Sequence, residues 1–184
     1  MTEYGAGHML ILNINGPINS GKSTVSKLLV AMLDHAVFIE VDKLMSNAER
    51  RILGLTVEGG WTEKLNRLDI KMDHLKTSHI YETVIFAYPI TERYYERWRL
   101  WDDGHNYRFV NVTLAPPMDV CLSDRGGGRK LSEWEINRIK EMYAKGMDSP
   151  SFSDLIIDNG DETPEETAAK IRDFIKGGFK KRKR

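Results

Sequence analysis

Residues Gly16-Pro17-Ile18-Asn19-Ser20-Gly21-Lys22-Ser23 fit the pattern G-x-x-x-x-G-K-S, and both flanks of this segment restrict what the chain can fold into. Before it runs the apolar stretch Met9-Leu10-Ile11-Leu12-Asn13-Ile14, which reads as a buried parallel strand. After it Val25, Leu28, Leu29 and Met32 recur at the i, i+3, i+4, i+7 spacing of an amphipathic helix. A strand that feeds a glycine-rich turn opening a helix aims backbone N–H groups and the positive end of the helix dipole at one point. Gly16 and Gly21 let the backbone come close to a ligand, and Lys22 can reach terminal phosphates. The Ser23 hydroxyl can ligate Mg²⁺. Gly16, Asn19, Ser20, Gly21, Lys22, Ser23 and Thr24 are therefore the expected binding residues for ATP and Mg²⁺.

Four more apolar runs read as strands, at 36–41, 83–88, 109–114 and 155–157, without the strict alternation of a half-exposed sheet. Helical patterns separate them, at 62–79, 91–101 and Met118–Arg125. Ser132 opens another, whose Ile136, Ile139 and Tyr143 share a face. Thr163-Pro164-Glu165-Glu166 begins the last as a capping box, with Ala168, Ile171 and Ile175 as its apolar face. Strands alternating with helices predict a three-layer α/β/α domain over 9–176 with a five-stranded parallel sheet. Its ligands belong at the carboxyl ends of the strands.

The chain of 184 residues has a formal net charge of zero, so no global basic field draws in nucleic acid, which is not expected as a partner. No apolar run reaches the roughly 20 residues that span a bilayer, and residues 1–8 lack the pattern of a signal peptide. The lone Cys121 fits core packing in a reducing, cytoplasmic setting. The polar residues 1–8 are expected to be flexible, and 177–184 to form a solvated basic tail. A homodimer is left open.

Two features speak to chemistry. Glu40 and Asp42 lie two apart at the end of the second expected strand, where alternate residues share a side. Glu40 is assigned to the metal and Asp42 to the proton of an acceptor hydroxyl, although either acid could take either part. Asp124-Arg125-Gly126-Gly127-Gly128-Arg129-Lys130 combines a glycine hinge with arginines, the makings of a mobile lid over 125–131. Arg125 and Arg129 would stabilise the charge that develops on a transferring phosphoryl group. Lys22, Asp42, Arg125 and Arg129 are the expected catalytic set.

The order of phosphate loop, acid pair, arginine lid and final strand resembles the small P-loop kinases of the nucleoside-monophosphate-kinase and shikimate-kinase type. Asn15 through Ser23 followed by Val41-Asp42 is similar to chloramphenicol phosphotransferases. Asp148-Ser149-Pro150-Ser151-Phe152-Ser153-Asp154 is similar to the tunicamycin-resistance ATP-binding proteins. The resemblance implies transfer of the ATP γ-phosphate to a hydroxyl of a small metabolite or antibiotic. It also implies an acceptor cap over 43–80 and an adenine site near Asn159 to Thr163. Two departures stand out. The third strand ends Ala87-Tyr88-Pro89 with no Walker B acid, and Asp158, on the last strand, only mimics one. The arginine-bearing glycine-rich acceptor segment of the shikimate type is also missing after that strand, so shikimate itself is not the expected acceptor. Within the cap lie Arg50, Arg51, Trp61, Lys64, Arg67 and Asp69, most of whose charges are expected on a solvated helix face, and Tyr88 and Arg93 follow at the next strand end. Tyr94, Tyr95, Trp98 and Trp101 have the spacing of a packing face. Two other classes stay open: a nucleoside or nucleotide kinase, and a regulatory or nucleic-acid-end-directed P-loop NTPase.

Overall fold

Five strands, β1 (Met9–Asn15), β2 (Ala36–Ile39), β3 (Thr83–Ala87), β4 (Tyr107–Leu114) and β5 (Leu155–Ile157), pair in the order β2-β3-β1-β4-β5. Every pairing is parallel, as expected of strands joined by helical crossovers. The computed structural model describes residues 9–100, 102, 107–124 and 130–177. β1 is central, and the chain crosses to β2 and β3 on one side of it before returning to β4 and β5 on the other. That reversal puts the carboxyl end of β1, and the loop that follows it, at the switch point where such sheets bind ligands.

Alternation along the strands divides the core in two. Ile11, Val84, Phe86 and Phe109 belong to one cluster, with Leu65, Leu68 and Met72 of α3 (Val57–Ser78) and Trp98 of α4 (Glu92–Arg99). Leu12, Ile14, Ile85, Val110 and Val112 belong to the other. This second cluster includes Val25 and Leu29 of α1 (Lys22–Met32) and Ala168, Ile171 and Ile175 of α7 (Pro164–Lys176). Each fully buried side chain of this size contributes roughly 1.5–3 kcal/mol. The expected aromatic face is a packing face. The Trp98 ring meets Phe86 edge-on at 5.0 Å and Tyr94 at 5.9 Å, while its Nε1–H donates to Asp69 Oδ1 at 2.8 Å. Trp101 lies outside the described residues.

Local signals set the helix ends. Ser132 and Thr163 each form a complete capping box, at the starts of α6 (Glu133–Ala144) and α7. α3 begins at Val57, ahead of the expected 62, because the Thr56 side chain accepts the Gly59 N–H and starts the helix. Gly60 lies there against α2 (Asn47–Ile52), where a Cβ would come within 2.5 Å of Arg50 Cδ. The helix expected over Met118–Arg125 is a short one, α5 (Met118–Leu122).

The second strand departs from expectation in a way that matters for the site. It ends at Ile39, and Val41–Leu44 is a 3₁₀ turn. Strand alternation therefore does not place Glu40 and Asp42 on one side; the turn carries them. Among the described residues no helix is long and apolar enough to cross a membrane.

Candidate active site

The loop between β1 and α1 turns through three residues with positive φ: Gly16 at 136°, Asn19 at 63° and Gly21 at 92°. At Gly16 no other residue fits, since a Cβ would lie 2.4 Å from the Leu114 carbonyl oxygen and 2.9 Å from Ser20 Oγ. Neighbours fix the loop from two further directions. Asn19 Nδ2 donates to the carbonyls of Cys121 at 2.8 Å and Ser123 at 3.1 Å, tying the loop to the end of α5. Asn159 Nδ2, just past β5, donates to the Ser20 carbonyl at 3.0 Å. Gly21 is the N-cap of α1, and no side chain caps that first turn. A cradle that only glycine can line, leading into an uncapped helix N-terminus, fits the phosphates of a nucleotide. Of the expected binding residues, Ser20 is buried, Lys22 partly buried, and Ser23 and Thr24 exposed at the head of the helix. Asn19 spends its side chain on α5, leaving its backbone for a ligand.

Lys22 points back along the loop, its ammonium donating to the Pro17 carbonyl and, at 3.5 Å, to Ser20 Oγ. Burial pushes its pKa down to about 8, opposed by the nearby Cys121 thiol and the Asp42 carboxylate. Of the two expected acids, Asp42 is thus the one whose charge acts on Lys22. Glu40 is engaged by Lys43 at 2.6 Å.

Asp42 is itself exposed, and side chains from α3 and from the end of β3 lie near it. From α3, Lys64 Nζ reaches Asp42 Oδ1 at 2.8 Å. Tyr88 follows β3, almost fully buried, and its phenol is held well above the ordinary range, first by burial and then by the charge of Asp42. From α6, the Arg138 guanidinium lies over the Trp61 ring at 5.0 Å, bonds Glu141 at 2.6 Å, and acts electrostatically on Tyr88. α6 itself is pinned by Tyr143, whose hydroxyl donates to the Pro116 carbonyl and contacts the buried Cys121 Sγ at 3.3 Å.

Asp42 thus pairs with Lys64 and acts on both Lys22 and Tyr88, while Arg138 of α6 joins Trp61 of α3 to the surroundings of Tyr88. Of the cap residues singled out in the sequence, Trp61 and Lys64 make these contacts, while Arg67 pairs with Glu49 and Glu63 and Asp69 accepts from Trp98; Arg138 is not announced by any local spacing, because its partner Trp61 is remote in the chain. Arg93 is exposed on α4. Asp158 accepts the Gly160 N–H at 3.0 Å and so helps shape the turn after β5. Arg125 and Arg129, and with them most of the expected lid, lie outside the described residues, as do 1–8 and 178–184. Among the described residues no three His, Cys, Asp or Glu side chains cluster as a ready-made metal site. A Mg²⁺ ion held mainly by phosphate oxygens needs no such cluster.

No protein-family profile and no curated protein sequence matches the chain. Solved structures do. A shikimate kinase from Acinetobacter baumannii, in complex with shikimate, aligns at TM-score 0.60 and 18% identity, over 97% of this chain and 98% of that one. The tunicamycin resistance protein of Deinococcus radiodurans aligns at 0.58 and 20%, over 94% and 97%. A gluconokinase from Sinorhizobium meliloti 1021 aligns at 0.60 and 17%, over 89% and 88%. The likeness runs nearly end to end at low identity, so what the chain shares with these proteins is their fold, a P-loop α/β architecture built on a five-stranded parallel sheet.

Proposed function

We propose that the chain transfers the γ-phosphate of ATP, with Mg²⁺, to a hydroxyl of a small metabolite or antibiotic. The observation that carries this reading is the glycine-lined loop that opens α1 without a side-chain cap and carries Lys22, with Asp42, on the turn after β2, near enough for its charge to act on that lysine. The open Asp42 carboxylate pairs with Lys64 and acts on the Tyr88 phenol, and Arg138, lying over Trp61, acts on that phenol as well. The fold is one that a shikimate kinase and a gluconokinase also use.

In this reading Gly16 to Thr24 hold the phosphates through backbone N–H groups, Lys22 bridges the terminal ones, and Ser23 offers its hydroxyl to the metal. Mg²⁺, when bound, supplies charge neutralisation on the β- and γ-oxygens. Asp42 orients the acceptor hydroxyl and accepts its proton as the oxygen attacks phosphorus. Lys64 shares the negative charge of Asp42 until the acceptor arrives and is then free to bind it. Tyr88, Trp61 and Arg138 give the acceptor one apolar wall and one cationic corner. Residues 43–80 act as the cap and 125–131 as the lid, Arg125 and Arg129 adding positive charge on closure. The single buried cysteine suits a cytoplasmic setting.

The test is ATP consumption with Mg²⁺ against a panel of hydroxy acids, sugars, nucleosides and hydroxylated antibiotics, with Lys22→Ala as control. Turnover that one class of alcohol stimulates and Lys22→Ala abolishes is the expected result. ATP binding without stimulation by any alcohol would rule the reading out.

A further inference from the structure

A line of buried polar side chains crosses the sheet where an apolar core would serve for stability alone. Asn13 and Asn15 alternate along β1, and Asn111 and Thr113 stand opposite them in register on β4. All four are at most 1% exposed, and Ser153, just before β5, is 5% exposed. Asn13 Nδ2 donates to Asn111 Oδ1 at 2.8 Å, and Asn15 Nδ2 donates to Thr113 Oγ1 at 2.9 Å. The line ends at Ser153, whose hydroxyl accepts from Asn111 Nδ2 at 3.3 Å and is hydrogen-bonded to Thr113 Oγ1 at 2.5 Å, either hydroxyl being able to donate. Asp154 secures that end, accepting the Asn111 N–H at 2.8 Å and donating its own N–H to the Asn111 carbonyl at 2.9 Å.

At the other end the two asparagines do something the sheet cannot. The β1–β3 ladder stops at the pair Ile14–Ala87, and the chain beyond leaves the sheet. Asn13 Oδ1 then accepts the Tyr88 N–H at 3.3 Å, and Asn15 Oδ1 accepts the Ile90 N–H at 3.1 Å. Each carboxamide stands in for a missing strand partner, and its length fixes how far the 88–90 segment departs. Each can accept from 88–90 only while its amide group is turned towards β4, because one carboxamide plane serves both bonds. Asn15 also immediately precedes Gly16, the first residue of the phosphate loop. Such a network costs desolvation in every member and returns it only in one geometry, which is how buried polar groups specify position.

We propose that Asn13, Asn15, Asn111, Thr113 and Ser153 are positioning residues that hold the acceptor wall at Tyr88–Ile90 in register with the phosphate loop. The acceptor role of that wall rests on the kinase reading above; the coupling itself does not. It also gives the Asp148–Asp154 segment a purpose: it clamps the far end of the line, with the Phe152 ring packed on Tyr95 at 5.2 Å.

The experiment is residue-resolved amide hydrogen exchange on the full chain, with calorimetric titration of Mg²⁺ and the non-hydrolysable analogue AMPPNP. Thr113→Val removes the hydroxyl that orients Asn15, Ser153→Ala removes the far anchor at lower risk to folding, and Thr113→Ser restores the hydroxyl. Exchange at the Ile90 amide should rise about tenfold in Thr113→Val and less in Ser153→Ala, the scale of one lost hydrogen bond. It should stay at the wild-type rate in Thr113→Ser, with Leu12 and Val112 unchanged throughout and AMPPNP affinity within about twofold. Unchanged exchange at Ile90 in both hydroxyl-deleted variants would overturn the proposal. So would acceleration spread evenly over the sheet, the mark of a merely structural role. Failure of the wild-type chain to bind AMPPNP would instead strike the kinase reading, and the exchange pattern would still judge the coupling.

Discussion

Lys64 Nζ lies 2.8 Å from Asp42 Oδ1, so a lysine side chain only 17% exposed holds a carboxylate that is 78% exposed. The lysine comes from α3 and the acid from the turn after β2, so the pair ties that helix to the turn. An open carboxylate is accessible to an acceptor hydroxyl. Asp42→Asn should keep AMPPNP binding and lower phosphoryl transfer by about 10²- to 10⁴-fold, the usual worth of a positioned base. Lys64→Met should raise the acceptor KM yet change unfolding stability by less than about 1 kcal/mol, because the acid is well solvated. Steady-state kinetics and thermal melts decide both. Wild-type transfer by a folded Asp42→Asn protein would remove Asp42 from the mechanism.

Gly16 and Gly146 both have positive φ, at 136° and 67°, but differ in what surrounds them. A Cβ at Gly16 runs into the Leu114 carbonyl, while at Gly146 nothing lies within 4 Å. Gly16→Ala should cost roughly 1–3 kcal/mol or more and abolish AMPPNP binding, since strain and steric overlap act together on the phosphate cradle. Gly146→Ala should cost about 1 kcal/mol, the left-handed backbone penalty alone, and leave binding untouched. Equal losses in the two variants would mean that the contact with Leu114 carries no weight.

The sequence makes the layers legible because buried strands and amphipathic helices announce themselves locally, and the phosphate loop is legible because one short segment carries its glycines, lysine and serine at fixed spacing, although Leu114, Cys121, Ser123 and Asn159 hold it from afar. The acid pair is harder. Glu40-Val41-Asp42 reads as strand, yet the sheet lets go at Ile39, and a 3₁₀ turn sets where the two acids point. The turn is bonded to α3 through Arg67 to the Leu44 carbonyl and Lys64 to Asp42, long-range contacts that periodicity cannot encode. Arg138 and the Asn13–Ser153 line depend on partners from different strands and helices. An asparagine inside an apolar run reads as a blemish until its register partner Asn111 is known.

Asp69 sits between α3 and α4, accepting the Trp98 indole N–H and pairing with Arg97. Burial raises its pKa above the ordinary value, with the Trp98 bond and Arg97 pulling the other way. A carboxyl whose native pKa is raised binds its proton more tightly folded than unfolded. Its stabilising contribution is therefore present at low pH and is lost as pH rises past the ordinary carboxyl range. Asp69→Asn keeps an acceptor for Trp98 and carries no charge, so relative to wild type it should gain stability between pH 4 and pH 7. Asp69→Ala should lose about 1–3 kcal/mol at both, leaving the indole N–H unpaired. Melting curves at the two pH values test this. An Asn variant that falls further behind at pH 7 would show that the ion pair with Arg97 outweighs burial.

Lys22 offers the sharpest pH test, because burial brings its pKa down to about 8 from 10.5. Between those values the unfolded chain binds more protons than the native one, so this lysine penalises folding below pH 8 and the penalty lifts as pH climbs towards 10.5. Phosphate oxygens beside the ammonium reverse the balance by favouring its charged form. Nucleotide binding should therefore take up about half a proton per site at pH 8 and almost none at pH 6.5, where Lys22 is already charged. Calorimetric titration with Mg·AMPPNP in two buffers of different ionisation enthalpy measures that uptake directly. Lys22→Arg should abolish it, since a guanidinium stays charged throughout the range. No uptake at pH 8 in the wild-type protein would mean either that Lys22 keeps its proton despite burial or that its ammonium does not meet the phosphates. Lys22→Ala separates these: weakened binding supports contact with a fully charged lysine, and unweakened binding removes Lys22 from the site.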